Sequence, residues 1–346
     1  MYKLIIRPIL FRIDPEKVHH IIVRFVQLGF CIPGVPQLIK RIYTLEHPKL
    51  KRTVFGLTFK NPVGLAAGFD KNASFYNQFA NFGFSFIEIG TVTPKAQPGN
   101  PKPRLFRFPS DSAIINRMGF NNHGVRKTVQ NLKKRKTKII IGGNIGKNTT
   151  TPNNLAVDDY INTFNELYYY VDYLVVNVSC PNISDLHELQ NKDSLTEILT
   201  RLLKEREDKT MAKPVLLKIS PDLNFNQIDE VIEMVNEIKI DGLVVSNTTT
   251  GRYDLSTPTD KINAIGNGGM SGKPLRKRST EMIRYIHQKT NGSIPIIGVG
   301  GIMTPEDALE KLNAGASLVQ IYSGFIYEGP AIVKRINKAV LSLSER

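Results

Sequence analysis

The chain has 346 residues, 41% hydrophobic and 22% charged, with no compositionally biased tract, which excludes the disordered and low-complexity classes and fits one α/β barrel with an appendage. Its two cysteines, Cys31 and Cys180, match no metal or disulfide spacing, as expected of a reducing, intracellular compartment. The net charge of +15 is uneven: residues 1–60 hold eleven Lys/Arg against three acids, +8 of the total, so the distribution argues against a general nucleic-acid surface.

In the first 48 residues, Arg7, Arg12 and Arg24 interrupt every apolar run before it reaches the ~18 residues needed to span a bilayer. Asp14-Pro15-Glu16 is a helix start, with a capping carboxylate, proline at the first helical position and an acid in the first turn. Val18, Ile21, Ile22, Phe25 and Leu28 then recur at helical spacing, and Gly29 is a stop. After Pro33-Gly34-Val35-Pro36, a second short helix runs through Leu38, Ile39 and Ile42, with Lys40 and Arg41 on its other side. Periodicity alone favours two helices that pack on the rest of the protein. The alternative is that they lie in the plane of an anionic membrane. A later basic cluster, Lys133, Lys134, Arg135, Lys136 and Lys138, reads as a solvated helix end.

Val54-Phe55-Gly56-Leu57-Thr58-Phe59 forms a small hairpin suited to plug a barrel floor. From residue 61 onward a short apolar run, a glycine or polar cluster and a helical stretch repeat eight times. The runs are Pro62–Ala66, Phe86–Ile89, Ile139–Gly142, Tyr173–Val178, Val215–Ile219, Gly242–Val245, Pro295–Val299 and Leu318–Ile321. Rich in Val and Ile and nearly free of charge, they suit parallel strands covered on both faces. The last intervening helix opens at Thr304-Pro305-Glu306-Asp307 and closes at Gly315. Eight units predict a closed (β/α)8 TIM barrel over residues 49–346, behind an N-terminal helical extension over residues 1–48.

Such barrels carry their chemistry at the C-terminal ends of the strands. The residues there are Ala67-Gly68-Phe69-Asp70-Lys71, Gly90-Thr91, Asn144, Asn177 with Ser179, Cys180 and Asn182, Lys218, Ser246-Asn247-Thr248-Thr249, Gly300-Gly301 and Tyr322-Ser323. A ring of amides, two lysines, glycines and one thiol, without a His or carboxylate cluster, argues against metal and sugar hydrolysis and suits a planar, anionic, amide-rich ligand. The glycines after strands seven and eight let backbone N–H groups approach a phosphate, although glycine also ends strands for steric reasons alone. Lys218 is either paired structurally or aimed at negative charge in the lumen.

At this point the residues resemble a known family. Asn61-Pro62-Val63-Gly64-Leu65-Ala66-Ala67-Gly68-Phe69-Asp70-Lys71, Glu88-Ile89-Gly90-Thr91-Val92-Thr93-Pro94, Ile115-Asn116-Arg117-Met118-Gly119-Phe120-Asn121-Asn122, Asn144-Ile145-Gly146-Lys147-Asn148 and Gly315-Ala316-Ser317-Leu318-Val319-Gln320-Ile321-Tyr322-Ser323-Gly324 are similar to segments of the dihydroorotate dehydrogenases. Asp14-Pro15-Glu16 with His19 resembles the extension of the quinone-dependent class 2 members, which turns the reading of the first helices toward the membrane.

The resemblance implies oxidation of (S)-dihydroorotate to orotate in pyrimidine (UMP) biosynthesis, with FMN as cofactor and a membrane quinone as acceptor. It implies that Ala67, Gly68, Phe69, Asp70, Lys71, Thr91, Asn144, Asn177, Lys218, Ser246, Gly272, Gly301, Tyr322 and Ser323 hold FMN. By the same resemblance Lys71, Asn116, Arg117, Met118, Gly119, Phe120, Asn177, Asn182, Asn247 and Thr248 bind dihydroorotate, Cys180 is the base, and His19, Arg107 and Tyr322 line the quinone access. No metal and no nucleic acid are expected. The implied protein is a monomer, peripheral on the cytoplasmic face of the cell membrane.

Four residues depart from the class 2 pattern. Cys180 stands where class 2 usually has serine and class 1 cysteine, Ser246 replaces threonine, and Ile183-Ser184 replaces Thr-Pro. Cys180 therefore keeps open a class 1 enzyme with a soluble acceptor such as fumarate or NAD. More distant alternatives are an FMN-dependent tRNA dihydrouridine synthase and a phosphate-binding, membrane-recruited scaffold.

Overall fold

Alternate residues of each apolar run face opposite sides, and this parity builds the core. Phe86, Tyr173, Val175, Leu216, Val244, Ile297, Val299 and Leu318 form one buried cluster. Their neighbours Ile87, Leu174, Val176, Leu217, Leu243, Val245, Ile296 and Val319 join a second cluster with the surrounding helices. The structure, a computed structural model, describes residues 2–179, 181–182, 189 and 191–343. Its eight parallel strands are Val63–Leu65, Phe86–Val92, Ile140–Ile145, Tyr173–Asn177, Val215–Ile219, Gly242–Val245, Ile296–Val299 and Leu318–Ile321. They pair in chain order and close, the eighth returning to the first, which is the (β/α)8 barrel that the sequence predicts.

The second and third strands continue past the glycines that end their apolar runs in the sequence. Val92 pairs with Ile145 beyond an irregularity that starts at Ile89. Gly142 is a packing glycine rather than a stop, because a Cβ there would lie 2.2 Å from the Tyr173 ring.

The hairpin of Arg52–Val54 and Leu57–Phe59 closes the floor as anticipated. Phe59 meets Phe86 edge-on at 5.2 Å, and Val54, Phe55 and Leu57 pack on the inner cluster. Truncating a ring buried this deeply costs ~3–5 kcal/mol. The Pro305–Asn313 helix opens on the anticipated capping box between Thr304 and Asp307.

At the N-terminus, Asp14 Oδ1 accepts from the backbone N–H groups of Glu16 and Lys17 at 3.1 and 2.9 Å and starts the Pro15–Gly29 helix, a cap worth ~1 kcal/mol. Gly34, at φ +86°, turns the chain into the Val35–Tyr43 helix. Val23, Val26, Phe30, Ile39 and Tyr43 pack on the outer core. Buried Glu16 and Arg104 pin the first helix down through bonds of 2.8 and 3.2 Å. Burial pushes the Glu16 carboxyl up, but hydrogen bonds and charge from Arg104 and Lys102 outweigh it and hold the group below the usual range. The apolar stripe divides: Ile21, Phe25 and Leu28 stay exposed, whereas Val18 and Ile22 turn toward a cavity. Ahead of this helix, short helical turns at Tyr2–Ile6 and Arg7–Leu10, unsignalled in the sequence, are held by Tyr2 Oη donating to Ile326 O at 2.6 Å and by Lys3–Glu328 at 2.7 Å.

A second element escapes the sequence reading. Leu105–Phe108, Ala113–Asn116 and Gly269–Gly272 form a three-stranded antiparallel sheet with the middle segment central, and it roofs the C-terminal face of the barrel. Each strand has four residues, and one comes from about 150 positions downstream, so no local periodicity announces the sheet.

Candidate active site

The inward parity that places Phe86 and Leu216 in the floor brings polar residues to the top. Two residues beyond Leu216, Lys218 is 5% exposed, and among the described residues no carboxylate or hydrogen-bond acceptor pairs with its ammonium. Burying such a charge unpaired is costly, so the geometry is that of a site for an anion or a polarisable ring edge.

The central cavity under the roof sheet is lined by Ala67, Gly68, Lys71, Thr91, Asn116, Met118, Gly119, Phe120, Asn177, Asn182, Lys218, Ser246, Asn247, Thr248, Gly272, Gly301, Tyr322 and Ser323. The sequence singles out all of these. Asn182 Nδ2 donates to Asn116 Oδ1 at 3.0 Å, Asn116 Nδ2 donates to Gly269 O at 3.2 Å, and Lys71 Nζ donates to Asn121 Oδ1 at 2.5 Å. At one end, Gly301 has φ +73° and a Cβ there would sit 2.5 Å from the Arg276 backbone; at Gly324 it would sit 2.0 Å from Ile302 O. Beside these glycines the Ser271 and Ser323 hydroxyls lie 2.9 Å apart. Close backbone, two hydroxyls and no acid make this end fit a phosphate.

Of the described residues implied to hold FMN or dihydroorotate, four do not line this cavity. Phe69 sits edge-on to Tyr322 at 5.4 Å and faces a second cavity. Asp70 also borders that cavity, but its fully buried carboxylate accepts from Ser74 N and Phe75 N at 2.7 and 2.9 Å, fixing the loop after strand one. Burial pushes this carboxyl up to about 6. Arg117 turns away to the carbonyls of Pro103 and Ile265 and stacks 4.9 Å over Phe106. Asn144 lies beneath the cavity, accepting from Thr91 Oγ1 at 2.6 Å and donating to Glu88 Oε1 at 2.8 Å. Cys180, Ile183 and Ser184 lie outside the described residues. The sequence reading missed Leu105, Ile114 and Ser271, which the roof sheet contributes to the lining. No signal in the four-residue segment Leu105-Phe106-Arg107-Phe108 marks these positions, since two apolar residues precede the arginine and one follows it.

The second cavity, about 700 Å³, lies between the N-terminal helix and the barrel top. It shares Gly68, Lys71, Leu105, Ile114, Met118 and Tyr322 with the first, so the two meet at one wall. Most of its remaining lining is apolar, including Val18, Ile22, Val23, Phe75, Phe79 and Phe325. His19 lies in it, edge-on to Phe69 and Phe75 at 5.2 and 5.7 Å. Burial, then the charges of Lys71 and His20, pull its imidazole down to about 4, so it is neutral at neutral pH. Arg107 stacks 4.4 Å over Phe11 and donates to the carbonyls of Leu10, Phe11 and Ile13. Burial pushes the Tyr322 hydroxyl up to about 12.

A parallel barrel with a phosphate-fitting cradle, an amide ring and an adjoining apolar chamber defines a class of enzyme that handles a flat polar ligand beside a greasy one. A family model described as dihydroorotate dehydrogenase matches residues 49–343. The dihydroorotate dehydrogenase (quinone) of Christiangramia forsetii is 56% identical over 341 residues, covering 99% of each chain. The enzyme of the same description from Gloeobacter violaceus is 46% identical, covering 98% of this chain and 94% of its own. The crystal structure of DHODH in complex with ferulenol from Eimeria tenella superposes with a TM-score of 0.86 at 36% identity, over 96% of this chain and 92% of that one. The chain belongs to the dihydroorotate dehydrogenase family.

Proposed function

We propose that this protein oxidises (S)-dihydroorotate to orotate in pyrimidine biosynthesis, with FMN in the central cavity and a membrane quinone in the apolar one. The observation that carries this reading is the wall shared by the two cavities, with Lys71 and Tyr322 on both. A soluble acceptor such as fumarate or NAD has no use for an apolar chamber of about 700 Å³.

FMN fits the residues present. The Gly301 and Gly324 backbone with Ser323 would hold its phosphate, and Lys218 would stand beside its pyrimidine edge; Ala67, Gly68, Thr91, Asn177, Ser246, Gly272 and Tyr322 complete the cradle. When bound, it supplies the two-electron acceptor for the hydride that leaves C6 of the substrate. The Lys71 ammonium neutralises the substrate carboxylate, and Asn116, Asn177, Asn182 and Asn247 match its amide-like edges. Cys180 takes the C5 proton; a thiolate in a positively charged setting is a stronger base at neutral pH than a serine hydroxyl. His19, Arg107 and Tyr322 line the quinone path, and neutral His19 accepts hydrogen bonds there without adding charge.

Peripheral attachment to the cytoplasmic face of the cell membrane belongs to the same proposal, with residues 1–48 as the docking element. Of the seventeen large hydrophobic side chains exposed among the described residues, eleven fall between Leu4 and Ile42. No helix among those residues is long and apolar enough to cross a membrane. Such a face, flanked by Arg12, Arg24, Lys40 and Arg41, suits lying on an anionic bilayer.

The test is to add dihydroorotate to protein purified in mild detergent, follow loss of visible flavin absorbance, and compare recovery with a short-chain quinone, fumarate and NAD. Bleaching reversed by quinone alone is expected. Reversal by fumarate or NAD would assign a class 1 acceptor, and no bleaching would refute the substrate. Cys180→Ala should keep its flavin and lose nearly all turnover; a variant retaining most of its rate would dismiss Cys180 as the base.

A further inference from the structure

Beneath the central cavity runs a buried polar series whose lower members, Glu88, Gln320 and Asn144, the mechanism above does not use. Glu88, on the second barrel strand, is fully buried. Its Oε1 accepts from Asn144 Nδ2 at 2.8 Å and its Oε2 from Gln320 Nε2 at 2.7 Å. A carboxylate only accepts, so neither amide can turn its oxygen toward it. Asn144 therefore directs Oδ1 the other way, where it takes bonds from Thr91 Oγ1 at 2.6 Å and Asn177 Nδ2 at 3.2 Å. Asn177 Nδ2 also donates to Thr91 Oγ1 at 2.9 Å.

With its nitrogen engaged, Asn177 directs Oδ1 to Asn247 Nδ2 at 3.2 Å and to the Ser179 backbone N–H at 3.4 Å. Asn247 Nδ2 also reaches Ser179 Oγ at 3.0 Å, and its Oδ1 accepts from the Thr248 backbone N–H at 2.9 Å. The series thus starts on an acceptor that cannot donate and ends on backbone donors that cannot turn over. Each amide between them has one permitted orientation, because reversing any one sets oxygen against oxygen or N–H against N–H.

We propose that Glu88 is a positioning residue for the reaction: as an acceptor-only anchor it sets the donor–acceptor polarity of Asn144, Asn177 and Asn247, and through them the hydrogen-bonding pattern met by the pyrimidine edges of substrate and cofactor. The inference rests on the dihydroorotate reading of this barrel. It gives Glu88 a function without contact to either ligand, and it explains why a carboxylate occupies the barrel lumen with two amides, rather than a cation, as its partners.

The test swaps the polarity within the holoenzyme. In Asn144→Asp two carboxyl groups face each other. A proton shared between them restores the missing donor at low pH, and its loss as pH rises breaks the series. The other titratable groups around this point are Tyr173, whose burial keeps its hydroxyl protonated, and Lys218, which pairs in register with Asn177 on the neighbouring strand. In the double variant Glu88→Gln/Asn144→Asp, the residue 88 amide donates to the residue 144 carboxylate and still accepts from Gln320, so the original direction returns without a shared proton.

Orotate affinity, read from the shift it causes in flavin absorbance, is measured from about pH 6 to 9. Asn144→Asp should weaken by at least about tenfold toward the alkaline end, while the double variant stays within about threefold of wild type and flat with pH. A single variant that does not fold, beside a double variant that folds and binds orotate, supports the same conclusion. A single variant that follows wild type across the range, or a double variant that fails to bind orotate, overturns it. Wild-type protein left unbleached by dihydroorotate removes the functional reading and this inference together; wild type that bleaches normally confines any failure to the inference.

Discussion

Replacing Phe25 and Leu28 with serine removes the centre of the outward apolar stripe while leaving the cavity lining and the barrel untouched. Phe25 is 69% and Leu28 59% exposed. If full burial of such a side chain is worth ~1.5–3 kcal/mol, the exposed portions together leave about 2–4 kcal/mol to be gained at a bilayer. That corresponds to a loss of roughly 30- to 700-fold in partitioning onto vesicles. The assay is sedimentation with vesicles of mixed neutral and anionic lipid at low and high salt, because the basic flanks add a salt-sensitive part that the substitution leaves in place. Folding stability should change by no more than ~0.5 kcal/mol, as at other exposed positions. Unchanged partitioning of the double variant would refute the docking argument, since the stripe would then be in contact with nothing.

Three further outcomes are expected. Because burial depresses the His19 imidazole from 6.5 to about 4, docking of the Pro15–Gly29 helix is at full strength above pH ~6.5 and weakens as pH falls toward 4, by up to about 3 kcal/mol; hydrogen-exchange protection factors of that helix, taken relative to the intrinsic rate at each pH, should fall with acid in wild type and not in His19→Leu, and identical profiles would dismiss the effect. Gly301→Ala, with its Cβ driven into the Arg276 backbone at a left-handed φ, should purify without flavin; a fully loaded yellow protein would refute the phosphate cradle. Arg104→Met leaves the buried Glu16 carboxylate with only the exposed Lys102 and should cost ~3 kcal/mol in urea unfolding, whereas Glu16→Gln/Arg104→Met should recover part of it; additive losses would mean that the pair is not coupled.

The barrel was legible because each strand is a short Val/Ile-rich run bounded by glycine or polar residues, and because the turn chemistry at Asp14 and Thr304 acts locally. The roof sheet was not, since Gly269–Gly272 pairs with Ala113–Asn116 across about 150 positions of chain, beyond the reach of any local pattern. Most site residues could be read from their position just past a strand end. That rule cannot tell a side chain entering the lumen from one turned sideways, which is why Phe69 and Asp70 lie elsewhere; Arg117, which only the resemblance put in the site, follows a roof strand and turns to the Pro103 carbonyl. Glu88 was invisible as a site residue because it lies inside a run, where its parity places it below the chemistry rather than around it.

The wall common to the two cavities has a kinetic consequence. If the chamber beneath the N-terminal helix takes the quinone, as proposed, a compound that fills it leaves the substrate chamber open, so the enzyme completes one half of its cycle and then waits. Inhibition of this kind is not relieved by raising dihydroorotate, and it appears in a rapid-mixing trace as a single stoichiometric turnover followed by silence. Blocking the amide-lined chamber instead suppresses even that first event. Two ligands of unlike chemistry thus stop the same protein at opposite points, and the amplitude of the first turnover tells which chamber each occupies.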